Sequence, residues 1–230
     1  YQGLRTSANT LLSPFFGEIY ADKSEVPGFT YNPEEAKKIL ADAGYKDTDG
    51  DGYVEDKDGK QLTITLLVPA GSVTDDAVIQ QYIEWWKNVG LRVELLNGRA
   101  LEFNAYAEKL TKYADDFDMW LGGFTIGYNP DPDGLYGPIA RFNFSHYVSD
   151  EHTKLISEIA SEASFDPAKR VELFKEWQKF VFENPFLIPR FNTYSLQAVN
   201  KRVKNVNIAQ GKETGWEQVE LLSETGVVDK

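Results

Sequence analysis

Between residues 62 and 124, short apolar or β-branched runs alternate with stretches whose apolar residues recur at helical spacing, and this alternation admits few folds. Leu62–Val68 reads as a strand. Residues 75–89 place Val78, Ile79, Tyr82, Ile83, Trp86 and Val89 on one helical face, and Gly90 ends it. Leu91–Leu96 is the next strand, residues 100–112 the next helix, and Phe117–Phe124 a third strand of nearly continuous apolar character. Strands and helices in that order predict an α/β unit, a mixed sheet flanked by helices.

The flanks are read from their punctuation. Residues 1–30, with Pro14, Gly17, Pro27 and Gly28 and no periodicity, predict an irregular lead-in. Asn32-Pro33-Glu34-Glu35 is a helix start: Asn caps, Pro sits at the first helical position, and two carboxylates face the positive end of the dipole. That helix carries Ala36, Ile39 and Leu40 and stops at Gly44. Beyond a Pro/Gly/Asp-rich loop at 127–138, one helix carries Leu155, Ile156, Ile159, Ala160 and Ala163. A second starts at Asp166-Pro167, carries Leu173, Phe174, Trp177, Phe180 and Val181, and is stopped by Asn184-Pro185. Segment 186–199 is a strand candidate, with weaker ones at 203–208 and 216–222.

Composition then excludes function classes. With 24 Lys+Arg against 36 Asp+Glu the 230-residue chain carries a formal charge of −12, which argues against nucleic acid as a partner because phosphate neutralisation needs clustered cations. Cysteine is absent, which removes disulfides, thiolate catalysis, zinc–thiolate and iron–sulfur sites. No run of about 18 apolar residues crosses a membrane. The chain starts at Tyr1 without Met or a signal-peptide pattern, and reads as a piece of something longer.

A search for catalysis finds little. The only histidines are His146 and His152, and there is no His-Glu-x-x-His, nucleophile elbow or phosphate-binding loop. Gly122-Gly123-Phe124-Thr125-Ile126-Gly127 is not a dinucleotide fingerprint, since a proline-rich loop follows where a helix would start. Asp115, Asp116 and Asp118 before the third strand and Asp131 and Asp133 after it make a conceivable glycosidase pair. Their simpler reading is turn geometry and solvation. No catalytic residue is assigned.

Two other segments carry binding chemistry. Asp47, Asp49 and Asp51 alternate, Gly52 stands at the sixth position, and Tyr53 offers its carbonyl at the seventh, the spacing of a calcium loop. The twelfth position is Asp58 rather than Glu, and a strand follows instead of a helix, so any Ca²⁺ would be structural and weakly held. Trp120-Leu121-Gly122-Gly123-Phe124-Thr125-Ile126-Gly127-Tyr128 combines flat aromatic surfaces with glycines. Such a strand can hydrogen-bond an extended peptide through its main chain, or it can be a core strand with glycines at a bulge.

Taken in order, several stretches resemble the C-terminal lobe of extracellular solute-binding proteins of the oligopeptide/dipeptide/nickel class, which capture ligands for ABC importers. They are Tyr31–Tyr45, the Asp47–Gly52 loop, and Ile79–Leu91 with its Trp86-Lys87-Asn88-Val89-Gly90-Leu91 ending. Then come Asp116–Met119, Asn129–Leu135, Phe142–Tyr147, Asn184–Pro189 and Val203–Val206. The ordered set, running from residue 31 to 206, is what makes the resemblance specific.

The resemblance implies a type II periplasmic-binding-protein lobe at 31–206, a lead-in from the hinge side at 1–30, and a tail at 207–230 returning to a missing N-terminal lobe. It implies a non-enzymatic protein that closes on an oligopeptide and delivers it to a membrane permease. Dipeptide, nickel-chelate or oligosaccharide capture is the alternative. It also implies a bacterial protein outside the cytoplasm, at the cell surface or in the periplasm, anchored by a lipoprotein segment in a Gram-positive organism. Gly123, Phe124 and Thr125 correspond to the strand that pairs with the ligand backbone, with Trp120 and Tyr128 as aromatic walls. Gly127 stands where the family has an Asp that anchors the peptide α-ammonium, which leaves three alternatives: Asp131 takes over that charge, Asp133 does, or the peptide N-terminus is not held at all.

Overall fold

The Asn32-Pro33 start forms as its chemistry dictates. In the computed structural model, which describes residues 3, 5–71, 73–112, 114–194, 198–204 and 220–221, Asn32 Oδ1 accepts the Glu35 N–H at 3.2 Å. The first strand, β1 (Arg5–Ser7), precedes helix α1 (Pro33–Asp42). Gly44, at φ 93°, takes the left-handed position that closes the helix, and the Tyr45 N–H returns to the Leu40 carbonyl. None of the residues of α1 is buried, and Ile39 is 61% exposed.

The α/β unit follows as β2 (Thr63–Leu67), α2 (Val73–Lys87), β3 (Arg92–Leu95), α3 (Phe103–Thr111) and β4 (Met119–Trp120). β2 lies between β3 and β4 and is parallel to both, with Ile64 opposite Val93 and Leu66 opposite Met119. Alternation along β2 assigns its two faces. Leu66 and Val68 pack with Ile79 of α2 and Val93, while Leu67 packs with Leu96, Leu101, and Tyr106 and Leu110 of α3. Helices therefore cover both faces, as a parallel sheet requires.

A second core forms where α5 (Asp150–Ile159) meets α6 (Pro167–Glu183), after the one-turn α4 (Asp133–Tyr136). Tyr136, Leu155, Ile156, Ile159, Leu173, Phe174, Trp177, Phe180 and Val181 are buried there together with Leu12. The lead-in is thus part of this core. Gln178, 2% exposed, holds it with every polar atom of its amide. Its Oε1 accepts from Thr10 Oγ1 at 2.9 Å and the Ala21 N–H at 3.1 Å, and its Nε2 donates to the Ile19 and Phe174 carbonyls. β1 adds an antiparallel pairing with β5 (Phe191–Thr193), and a 3₁₀ turn occupies Pro14–Ile19, so residues 5–30 are more ordered than their composition predicts.

Other expectations are corrected. The third strand shrinks from Phe117–Phe124 to β4, because only Leu66 and Leu67 of β2 stand opposite it. The helix expected at 100–112 is Phe103–Thr111, with Glu102 accepting the Asn104 and Ala105 N–H groups. Ala163 leaves the α5 helix for a 3₁₀ turn that Ser161 caps. Among its described residues, segment 186–199 yields only β5, and Pro189 just ahead of it lacks a ladder donor; residues 195–197 lie outside the described ones. Of the last two strand candidates, β6 (Val203–Lys204) and β7 (Glu220–Leu221) pair antiparallel, and their remaining residues lie outside the described ones. The 207–230 tail is outside them too, apart from 220–221.

His152 gives this second core a pH dependence. It is 1% exposed, stacks on Phe180, and accepts at Nε2 from Trp177 Nε1 at 3.1 Å. Burial disfavours the imidazolium and holds its pKa below the ordinary 6.5. The unfolded chain therefore binds a proton that the folded chain refuses, so this contribution is complete above pH 6.5 and is lost as pH falls from there through the depressed value. Urea midpoints between pH 7 and 5 are expected to fall for the wild type and to stay flatter for His152→Gln. Parallel slopes for the two proteins would assign the dependence to other groups.

Candidate functional site

A groove of about 1170 Å³ runs past β4, from Ala114–Asp118 ahead of the strand to Leu121 and Gly122 beyond it. One wall is the exposed flank of α2, where Tyr82, Trp85 and Trp86 recur at helical spacing, joined by Tyr31 ahead of α1. Tyr31 and Trp85 have ring centroids 5.4 Å apart, and the Arg190 guanidinium lies 5.6 Å from the Tyr82 centroid. The opposite wall is Ala114–Asp115, Phe117–Gly122 and Phe144–His146, and Pro185–Arg190 contributes further lining.

Beyond β4 the main chain loses its partners. The Leu121 N–H reaches the Leu67 carbonyl at 3.0 Å, and the Leu121 carbonyl accepts the buried Tyr106 hydroxyl at 2.9 Å. From Gly122 to Gly127 no main-chain hydrogen bond joins the segment to any described residue. None of Gly122, Gly123 and Gly127 has a positive φ, so these glycines serve no left-handed turn.

The two adjacent glycines do different things. A Cβ on Gly122 would lie 2.6 Å from both the Trp120 ring and the Tyr106 oxygen, so this glycine is a packing requirement. A Cβ on Gly123 would meet nothing within 4 Å, as would one on Gly127. Phe124 joins Trp120, Phe142 and Phe144 in an aromatic cluster whose centroids lie 5.7–6.4 Å apart along its edges.

Of the expected ligand-binding residues, Trp120 lines the groove and is held there by this cluster. Gly123, Thr125 and Gly127 are exposed along the unpaired segment, and Tyr128 is 73% exposed beside it. Asp131 does not line the groove, and its Oδ1 accepts the Asp133 N–H at 3.0 Å in a turn. Sequence reading missed the far wall. Tyr82 and Trp86 read only as part of one apolar helical face, and Trp86 does pack against the Leu66–Val93 core while it lines the groove. The Tyr82-x-x-Trp85-Trp86 spacing next to Tyr31-Asn32 was the available signal for the wall.

The remaining carboxylates are structural or solvated. Asp116 pairs with Lys109, and Asp118 Oδ2 accepts the Thr65 N–H at 2.7 Å where β2 begins. Asp115 and Asp118 both border the groove. His146 borders it as well, at φ 54°, whereas His152 is buried away from it.

The acidic loop departs from the expected ligand set. One carboxylate oxygen each from Asp47, Asp49 and Glu55 lies within 4.8 Å of the other two. Asp51 is committed elsewhere: Oδ1 accepts the Tyr53 N–H at 2.8 Å, and Oδ2 accepts from Gln61 Nε2 at 2.9 Å and Arg92 Nη2 at 3.2 Å. The Tyr53 ring lies 4.3 Å under the Arg92 guanidinium. Asp58 stands outside the three-carboxylate group and is exposed.

A parallel sheet covered on both faces, a helical second core and a groove lined by both define one α/β lobe of a periplasmic-binding-protein fold. The profile described as bacterial extracellular solute-binding proteins, family 5 Middle, matches residues 1–144, and the chain belongs to that family. It is 31% identical over 224 residues to the oligopeptide-binding protein OppA of Lactococcus lactis subsp. cremoris, across 96% of this chain. It spans 37% of that relative's length. The structure of lactococcal OppA complexed with an endogenous peptide in the closed conformation superposes with a TM-score of 0.85 at 29% identity, covering 95% of this chain and 41% of that one. A mannohexaose-bound periplasmic oligopeptide-binding protein of Thermotoga maritima gives 0.74 at 30% identity, covering 89% and 40%.

Proposed function

We propose that this chain supplies one jaw of a ligand-capture clamp that holds an oligopeptide for an ABC importer. The observation that carries the reading is the run from Gly122 to Gly127, whose main-chain donors and acceptors have no partner among the described residues and which starts at an aromatic groove. An extended peptide satisfies such a run by strand addition while side-chain pockets stay permissive. Gly123, Phe124 and Thr125 would pair with the ligand, Trp120 and Tyr128 would flank it, and Gly127 would leave room for its end. Asp131 is the proposed partner of the ligand's α-ammonium. A second lobe, a membrane permease and a position outside the cytoplasm, with a lipid anchor on a Gram-positive cell, complete the proposal. No step of it requires bond chemistry.

Linear oligosaccharide is the second reading. Flat faces such as those of Tyr31 and Trp85 also suit sugar rings, and one similar structure was solved with mannohexaose. An ¹⁵N-HSQC titration with tri- to octapeptides, and separately with a linear mannan oligosaccharide, tests both. Peptide shifts are expected at Gly122, Gly123, Thr125 and Gly127. With Asp131→Ala, free-amine peptides should weaken more than acetylated ones, and equal losses would remove the anchor. Shifts with sugar alone would replace peptide by saccharide, and no shift around 120–128 with millimolar peptide would end the peptide reading.

A further inference from the structure

We propose that the loop between α1 and β2 is a calcium site whose carboxylates come from Asp47, Asp49 and Glu55. The site is independent of the peptide groove.

Glu55 carries the inference. Its side chain sits at a residue only 4% exposed, in a loop whose other acidic groups face solvent. Oε2 accepts from the Thr48 N–H at 2.7 Å and the Thr48 hydroxyl at 2.8 Å. Oε1 is buried with no hydrogen-bond partner among the described residues. An ionised oxygen withdrawn from water without a donor is costly, and buried charges of this kind are paired or coordinate a metal. One oxygen of this carboxylate and one each from Asp47 and Asp49 lie within 4.8 Å of one another. A divalent cation placed among them offsets the mutual repulsion, and a Glu55 carboxylate that coordinates it through both oxygens also satisfies Oε1.

The neighbouring cation does not do this. Arg92 is directed to Asp51 Oδ2 and lies over the Tyr53 ring, which removes Asp51 from the expected ligand set. Asp47 holds the Gly50 and Gly52 N–H groups through its two oxygens, yet an ionised carboxylate has about four lone-pair sites, so these contacts orient it without filling it. All donors are hard oxygens on a flexible Gly-containing loop, which suits Ca²⁺ and its variable coordination better than the rigid octahedron of Mg²⁺. Glu55 also sits in bridges to Lys46 and Gln61, so an ion there joins both arms of the loop.

Calorimetric titration of the 230-residue chain with CaCl₂ is the test, with MgCl₂ at equal ionic strength as reference and Tb³⁺ luminescence excited through tyrosine as a second readout. Ca²⁺ is expected to saturate one site with a Kd of about 0.1–1 mM, the range of extracellular modules, and to bind more tightly than Mg²⁺. Glu55→Gln and the exposed Asp49→Asn should each weaken binding by about tenfold or more, while Asp58→Asn changes it by less than about twofold. Asp49→Asn keeps the test decisive if Glu55→Gln does not fold. The site is overturned by any of three results: no saturable Ca²⁺ binding, unchanged affinity in Asp49→Asn, or a loss in Asp58→Asn as large as that in Asp49→Asn.

Discussion

Replacing Trp177 with alanine is expected to cost about 4 kcal/mol of unfolding free energy, the usual penalty for truncating a fully buried large aromatic. Three losses coincide there. The side chain is 1% exposed between α5 and α6, so its removal opens a cavity where both helices and Leu12 meet. Its ring stacks on Tyr136 with centroids 5.9 Å apart. Its indole N–H is the donor to His152 Nε2, and without it a buried imidazole nitrogen loses its partner. Urea unfolding followed by far-UV circular dichroism measures the change. Trp177→Phe, which refills most of the volume but not the hydrogen bond, is expected to recover more than half of it. A loss below about 1 kcal/mol for the alanine variant would mean that this core collapses around the gap.

Gly122→Val should be the most damaging single change at the groove. Its Cβ would overlap the Trp120 ring and the Tyr106 oxygen at 2.6 Å, so the Trp120 wall must move or the Tyr106-to-Leu121 hydrogen bond must break. Overpacking of this kind costs about 1–3 kcal/mol, and peptide affinity should fall with it. Gly123→Ala separates packing from recognition. That Cβ meets nothing, so stability should hold within about 0.5 kcal/mol while peptide binding weakens. Thermal melts and peptide titrations on both variants check the pair. If Gly123→Ala binds peptide like the wild type, the exposed run is not where the ligand's main chain lies.

Local signals wrote much of this fold legibly. Asn32-Pro33 and Asp166-Pro167 each start a helix with the side-chain cap their chemistry predicts, and the face of Leu173, Phe174, Trp177, Phe180 and Val181 is buried as its spacing requires. What was illegible depended on distant partners. Phe117–Phe124 reads as a strand because it is apolar, but β2 offers it only two residues, and Phe124 is apolar on account of Phe142 and Phe144. The lead-in showed no period because its order comes from Gln178 and β5 rather than from itself. In the acidic loop, Asp47 and Asp49 were legible from alternation. Glu55 was not, because its burial depends on the bridges to Lys46 and Gln61.

The hydrogen bond from Thr10 to Gln178 joins residues 168 positions apart. A ribosome adding about 5–20 residues per second makes Gln178 roughly 10–30 s after Thr10. Throughout that interval Thr10 and Leu12 have been synthesised but the α6 residues they meet have not. The βαβ unit can assemble from contacts closer in sequence, so it has the shorter loops to close and the earlier opportunity. The opening residues are therefore among the last to be secured, and until α6 exists they are the stretch most available to a protease or a chaperone.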